Sequence, residues 1–331
     1  MPAQVCRAAG DGANSAFMRA VLIGGTGFIG RHVSAAFRAA GHDLVVVARN
    51  PARNVSGLRF VPLDLSRLGA VPELADLFGA ERPDVVVNAA GAVWAPTEQE
   101  LRESNVELVR HLIAALSALP KPPRLIHLGS VNEYAPLPPG EAVDEDAPLR
   151  PPTSYGKSKL TASAAVLQAM ADGSLSGLVL RIANVAGPGL PPVSLLGRVA
   201  EQLEAAARSG ERATVRLHTM RAHRDFVDYQ DATRAIMAAS QASVSGRVVN
   251  IGRGEAVNVR TLVGLLISAS GIPADVVIAD QGPPGTGSRV EAEWLQVDRR
   301  AAAELLGWSP RRWLADSVRD LWTHVHSPID R

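Results

Sequence analysis

The chain has 331 residues, 47% of them hydrophobic and 20% charged, with a formal net charge of +1. That length allows one large or two moderate globular domains, and so balanced a charge offers no electrostatic case for a nucleic-acid or membrane-surface partner. The single cysteine, Cys6, rules out a disulfide within the chain and a cysteine-based metal site, which fits a reducing cytoplasm. No apolar run reaches the roughly 20 residues of a membrane span. Residues 1–17 lack the apolar core of a signal peptide and read as a flexible tail, with Met18 a candidate start.

In chain order, Arg19–Ile23 is a short apolar run read as a buried strand that ends in glycines. A helix is expected over Arg31–Ala40, and strands over Asp43–Ala48 and Leu58–Leu63. Val71–Phe78 reads as helix, Asp84–Asn88 as strand, Glu98–Leu119 as helix and Arg124–Leu128 as strand. Tyr155–Ala171 is a long helix, followed by the strand Gly177–Ile182. Such alternation predicts an α/β fold, a doubly wound parallel sheet covered by helices on both faces. The breaker cluster Gly187–Pro192 changes the pattern. Helices over Leu195–Arg208, Asp231–Ser240, Asn258–Ser270, Arg299–Leu306 and Leu314–Val325 then alternate with strands over Thr214–His218, Val248–Ile251 and Ala274–Ala279, and Gln281–Ser288 reads as loop. The expected division is a nucleotide-binding domain over 18–187 and a smaller C-terminal α/β lobe over 188–331, with about 226–252 returning to the first domain.

The turn after the first strand is Gly24-Gly25-Thr26-Gly27-Phe28-Ile29-Gly30. Gly24, Gly27 and Gly30 have the G-x-x-G-x-x-G spacing, which permits a tight turn and close approach to a pyrophosphate. The following helix N-terminus adds free N–H groups and partial positive charge. In a strand–loop–helix setting this predicts a dinucleotide site made by Gly24, Thr26, Gly27, Phe28, Ile29 and Gly30. An acidic residue at the end of the second strand would bind the ribose hydroxyls of NAD. The chain has Val47-Ala48-Arg49-Asn50 there instead, and Arg31 follows the glycine turn. Two guanidinium groups suit a 2′-phosphate, so NADP(H) is the expected cofactor. Asp64 and Leu65 are placed to hold the adenine. Ala89, Ala90 and Gly91 supply small residues where the cofactor meets the fourth strand.

Tyr155 and Lys159 stand four apart and share one helix face. A nearby ammonium favours phenolate and is expected to lower the tyrosine pKa, allowing the pair to move a proton on and off a carbonyl or alcohol oxygen.

With the glycine turn and this pair, the chain resembles the extended short-chain dehydrogenase/reductase superfamily from Arg19 to about Val325. The resemblance implies that Ser130, in Leu128-Gly129-Ser130-Val131-Asn132-Glu133-Tyr134, holds the substrate carbonyl; a capping serine is the alternative. It implies that Asn105 supports the backbone or a water near Lys159, that Tyr155 protonates the alkoxide, and that Lys159 also binds the nicotinamide ribose. Asn184, Arg224 and Arg289 fall where the nucleotide-sugar branch holds a substrate diphosphate, and Leu305-Leu306-Gly307-Trp308-Ser309-Pro310 resembles that branch's closing L-G-W-x-P pattern. Trp94 and Asn132 are candidates for the sugar pocket. The family's 4,6-dehydratases carry an Asp-Glu pair after the catalytic Thr, whereas this chain has Val131 and Asn132. Overall the chain is most similar to the NDP-4-keto-6-deoxyhexose 4-ketoreductases of antibiotic deoxysugar pathways, which implies NADPH-dependent reduction of a dTDP-linked 4-keto-6-deoxysugar by a cytoplasmic homodimer. An NDP-sugar epimerase, a reductase of a non-sugar carbonyl and a non-catalytic NADP-binding protein are the alternatives. His127 reads as packed. His218, His223, His324 and His326 lack metal-ligand spacing, and no metal is expected.

Overall fold

The computed structural model describes residues 17–52, 55–67, 69–94, 97–217, 222–278 and 294–327. Strand β1 (Arg19–Ile23) leads through the glycine turn into α1 (Phe28–Ala39), then β2 (Asp43–Ala48), β3 (Arg59–Pro62), α2 (Ala70–Glu81) and β4 (Val85–Asn88). A helical run follows, made of α3 (Glu98–Arg102), a π turn (Glu103–Glu107) and α4 (Leu108–Ser117). Strand β5 (Arg124–Ser130) ends in a 3₁₀ turn (Val131–Glu133), and then come α5 (Ser154–Ala171), β6 (Ser176–Ile182) and β7 (Asn184–Ala186). The second half contains α6 (Leu195–Ser209), β8 (Ala213–Leu217), β9 (His223–Asp228), α7 (Tyr229–Gln241), β10 (Arg247–Ile251), β11 (Ala256–Asn258), α8 (Val259–Ser270), β12 (Ala274–Ile278), β13 (Trp294–Leu295), α9 (Arg300–Leu306) and α10 (Leu314–His326).

Seven strands make one parallel sheet in the order β10-β6-β5-β4-β1-β2-β3. Its strands are near-continuous apolar runs because both faces are covered. Alternate residues feed two cores. Leu22, Val46, Val87 and Ile126 meet Val33 and Phe37 of α1 and Ile236 of α7 on one face. Ile23, Val47, Val86 and Leu125 meet Leu74, Leu112 and Val166 of α2, α4 and α5 on the other. Helix α1 buries Gly30, Val33, Ser34 and Phe37, a single stripe at helical spacing. Strand order reverses at β1, so a crevice opens at the carboxyl ends of β1 and β4, the position where open α/β sheets bind ligands.

A third core joins α6, α8 and α10 to β8 and β9 through Leu203, Val215, Phe226, Leu266 and Leu321. Strand β9 pairs with β7, β11 and β13, and β12 pairs with β8. Strand β10 lies beside β6 in the large sheet, and α7 packs on α1. Strand β9 and the two- and three-residue strands β7, β11 and β13 that pair with it were not expected, because pairing of such short segments depends on distant partners and leaves no periodic pattern. Gln281–Ser288 and His218 lie outside the described residues, as do residues 1–16 of the expected tail.

Candidate active site

The glycine turn begins with Gly24 in the left-handed region at φ 81°, its N–H bonded to the Val47 carbonyl at 2.8 Å. A Cβ there would stand 2.7 Å from the Ala90 backbone, and a Cβ on Gly30 would stand 2.1 Å from the Gly24 carbonyl oxygen. The absence of side chains therefore lets α1 approach the strand turn. Gly27 is the N-cap of α1 and provides no side-chain cap, which leaves the first-turn N–H groups open to an anion.

This turn floors a cleft of about 250 Å³ whose walls include Gly24, Thr26, Gly27, Arg49, Asp64, Leu65, Ala89, Ala90 and Gly91. Ser66, not singled out from the sequence, anchors Asp64: its N and Oγ donate to Oδ1 at 3.0 and 2.6 Å. Burial pushes the Asp64 carboxyl up, but these bonds, with Arg49 and Arg67, hold it below its ordinary value. His111 Nδ1 meets the Leu65 carbonyl at 2.7 Å. The donors and the small-residue walls fit a dinucleotide, with the open helix N-terminus at its pyrophosphate and Arg49 beside Asp64 at its ribose.

The side chains of Phe28, Ile29 and Arg31 do not line the cleft, although Phe28 and Ile29 keep their N–H groups in the open first turn of α1. Ile29 packs against the core, Phe28 lies edge-on to His32 at 5.7 Å, and the Arg31 guanidinium lies against the Gly189 backbone with its Nε 3.5 Å from the Gly27 carbonyl. Arg31 thus points to the loop after β7, away from the end of β2 where Arg49 stands. His32 follows the same direction, with Nε2 2.9 Å from the Pro188 carbonyl.

Beyond Gly91 the cleft meets the catalytic candidates. Asn105 sits in the π turn, a local widening of the kind that recurs at functional sites. Its Oδ1 accepts from Ala92 N at 2.8 Å, and its Nδ2 donates to the Ala92 carbonyl and to Ser158 Oγ, both at 2.9 Å. Ser158 Oγ donates in turn to the Tyr155 carbonyl at 2.8 Å. Asn105 therefore ties the Gly91–Ala92 backbone to the first turn of α5. Thr153 caps that helix by accepting from Gly156 N. Lys159 is buried beside Gly91 and donates to the Leu128 carbonyl at 2.5 Å. Burial lowers its pKa to about 8, against an opposing pull from Glu133.

Tyr155 departs from the sequence expectation. Burial raises its pKa to about 12, although a hydrogen bond with Ser130 pulls the other way. Desolvation, with the Glu133 carboxylate adding to it, outweighs that pull. Ser130 both reaches Tyr155 and caps the 3₁₀ turn, so the two readings of this serine are compatible. Its Oγ accepts from Asn132 N at 3.2 Å and Nδ2 at 3.3 Å. Its N–H donates to Glu133 Oε1 at 2.8 Å. Ser130 and Glu133 have the spacing of a capping box, a signal that could have located Glu133 in the sequence.

On β7 and β9, Asn184 Nδ2 donates to the Asp225 carbonyl at 3.2 Å, and Arg224 Nη1 donates to the His223 carbonyl at 3.1 Å. Asp225 is fully buried and accepts from the N–H groups of Arg253, Gly254 and Val297. It anchors the strand that carries Arg224. Trp94 is exposed. Arg289 lies outside the described residues.

A family model described as the NAD dependent epimerase/dehydratase family matches residues 20–252. A dTDP-6-deoxy-L-talose 4-dehydrogenase (NAD(P)(+)) of Kitasatospora kifunensis is 44% identical over 306 residues, 92% of this chain and 95% of the relative. Among solved structures, MoeE5 in complex with UDP-glucuronic acid and NAD matches with a TM-score of 0.78 and 26% identity over 92% of this chain and 98% of its own. The UDP-glucose 4-epimerase of Thermus thermophilus complexed with NAD shares the fold, with a TM-score of 0.82 at 23% identity over 94% of this chain and 100% of its own.

Proposed function

The chain belongs to the NAD dependent epimerase/dehydratase family, and from that premise we propose that it is an NADPH-dependent reductase of the 4-keto group of a dTDP-linked 4-keto-6-deoxysugar. The observation that carries this reading is the placement of Tyr155 at the start of α5, one helical turn before the buried Lys159 and close to the Ser130 hydroxyl. A protonated phenol is the state a reductase needs in order to deliver a proton. A dehydratase would need carboxyl groups after Ser130, where this chain has Val131 and Asn132. The relative from Kitasatospora is named for oxidation at sugar carbon 4, the reverse of this reduction, which supports both the position of attack and the substrate class.

A dinucleotide bound in the cleft would supply hydride chemistry for the carbonyl carbon. As the C=O bond becomes a C–O single bond, Tyr155 gives its proton to the oxygen and Ser130 hydrogen-bonds the same atom. Lys159 supplies positive charge beside the phenol and the nicotinamide ribose, and Asn105 fixes the backbone under it. Solvent returns the proton to Tyr155. Arg49, in place of an acid at the end of β2, favours the 2′-phosphate of NADPH through charge-assisted bonds. Arg224 and Asn184 hold the diphosphate, and residues 188–331 serve as the substrate lobe, with Trp94 and Asn132 toward the sugar. We further propose that the protein serves deoxysugar supply for a natural product, working as a cytoplasmic homodimer through 98–119 and 155–171.

The test is nicotinamide absorbance with dTDP-4-keto-6-deoxysugars and NADPH or NADH, and with dTDP-6-deoxy-L-talose and NADP⁺ in reverse. Oxidation of NADPH in preference to NADH, with a 4-hydroxy product by NMR, is the expected result. Sugar isomers without net nicotinamide change would make the protein an epimerase. No change in either would remove sugar nucleotides as substrates.

A further inference from the structure

Glu133 is a buried carboxylate bonded to the Ser130 backbone, and the proposed reduction gives it no task. It is fully buried, on the turn that follows Ser130. Oε1 accepts from Ser130 N at 2.8 Å and from Ser163 Oγ at 2.9 Å, and Oε2 accepts from Arg181 Nε at 2.8 Å. The fit requires a bare backbone at Gly129, where a Cβ would stand 2.7 Å from Oε1. Arg181 is itself buried over the Tyr134 ring at 4.6 Å, and its Nη1 makes no hydrogen bond. Tyr134 donates to Asn250 Oδ1 at 2.8 Å, which locks the far side. A carboxylate held this way by three donors has no freedom to swing into the pocket as an acid or base.

We propose that Glu133 is the positioning residue of this site: clamped by Arg181 and Ser163, it fixes the Ser130 turn and places a negative charge beside the buried Lys159. The inference rests on the proposed reduction for its kinetic meaning; its electrostatic meaning rests on placement, since Ser163, one turn beyond Lys159 on α5, binds Oε1, and Lys159 binds the Leu128 carbonyl next to Gly129, against which Oε1 packs. The charged and titratable groups around the pair are Glu133 on the 3₁₀ turn, His127 on β5, Arg181 on β6 and Tyr134 beside it. His127 is fully buried and held neutral by burial and by Lys159. Arg181 is committed to Glu133. On α3, Glu98 is bonded to Ser154 Oγ at the start of α5. Glu133 is the group whose negative charge favours the protonated form of both Tyr155 and Lys159.

The experiment exploits the lysine count: Lys121, Lys157 and Lys159 are the three lysines of the chain. Full-length protein labelled at lysine ¹³Cε is titrated by NMR, wild type beside Glu133→Gln and Glu133→Asp, with Lys159 assigned by Lys159→Arg. In wild type, Lys159 is expected to titrate near 8. Loss of a neighbouring opposite charge lowers an ammonium midpoint by about one unit or more, so Glu133→Gln is expected to titrate that much lower. The alkaline limb of kcat is expected to move with it.

A folded Glu133→Gln protein whose Lys159 midpoint matches wild type would overturn the proposal, as would a lowered kcat with an unmoved pH profile. Should Glu133→Gln not fold, the aspartate variant decides. Its withdrawn carboxylate is expected to lower the midpoint part of the way, and an unchanged midpoint overturns the idea. If wild type oxidises no NADPH with any 4-keto sugar, the functional reading fails, while the lysine titration still decides the role of Glu133.

Discussion

At the scale of single residues, two titrating groups define the working range of the site. Burial drives both toward their neutral forms, which for Tyr155 is the acid and for Lys159 the amine. With Tyr155 pushed up to about 12, the phenol holds its proton throughout the neutral range. With Lys159 brought down to about 8, the ammonium is charged below that pH and lost above it. The reductive kcat is therefore expected to be level on the acid side of about 8 and to fall as pH rises through it, read from a pH–rate profile under saturating NADPH. A flat profile to high pH would contradict the burial of Lys159. Removing the acid itself, in Tyr155→Phe, is expected to lower kcat by about 100- to 10,000-fold. NADPH affinity, measured by fluorescence titration, should be retained, because the cleft that holds the dinucleotide is built from other elements. Retained turnover in this variant would sink the assignment of Tyr155 as proton donor.

At the scale of elements, the β1–α1 junction carries the cofactor reading. Gly30 lies in the buried stripe of α1, and an added Cβ would stand 2.1 Å from the Gly24 carbonyl oxygen and 2.7 Å from Gly25 Cα. Backbone cannot yield as a side-chain tip does, so α1 must move away from the turn. Gly30→Ala is expected to cost about 1–3 kcal/mol, the usual penalty of overpacking, and to weaken NADPH binding. Thermal unfolding with and without NADPH measures both, and unchanged values would mean that the turn tolerates a wider helix. The Gly24–Gly27–Gly30 spacing was legible in the sequence because the physics is local: a strand, a turn and a helix adjoin along the chain. The same holds for Tyr155 and Lys159 on one helix face. The destination of Arg31 was not legible, because it is set by Gly189 in a distant loop. The π turn at Asn105 was hidden too, since one widened turn leaves the apolar pattern of Glu98–Leu119 intact. Nor could sequence reveal the raised pKa of Tyr155, which depends on which groups pack around it.

At the scale of the whole molecule, the C-terminal L-G-W-x-P segment has a physical task. Gly307 ends α9 in the left-handed conformation and turns Trp308 inward, where the ring is buried with the sheet-face core. Trp308 Nε1 donates to the Asp231 carbonyl at 3.0 Å, and Asp231 Oδ2 accepts from Arg311 N and Arg312 N at 2.8 and 2.9 Å. Asp228 extends the clasp, accepting from Arg312 Nε at 3.2 Å and Ser317 Oγ at 2.7 Å. These contacts fasten α9 and α10 to the start of α7, which packs on the cofactor helix α1, and so join the third core to the large sheet. Trp308→Ala should accordingly destabilise the whole protein, by about 3–5 kcal/mol as for other buried aromatic truncations, and not merely release its C-terminal helices. Urea unfolding followed by far-ultraviolet circular dichroism and by bound-NADPH fluorescence is expected to give coincident transitions at a lower midpoint. Two separated transitions, with the NADPH signal keeping its wild-type midpoint, would mean that the clasp holds only its own helices and that the lobes unfold independently.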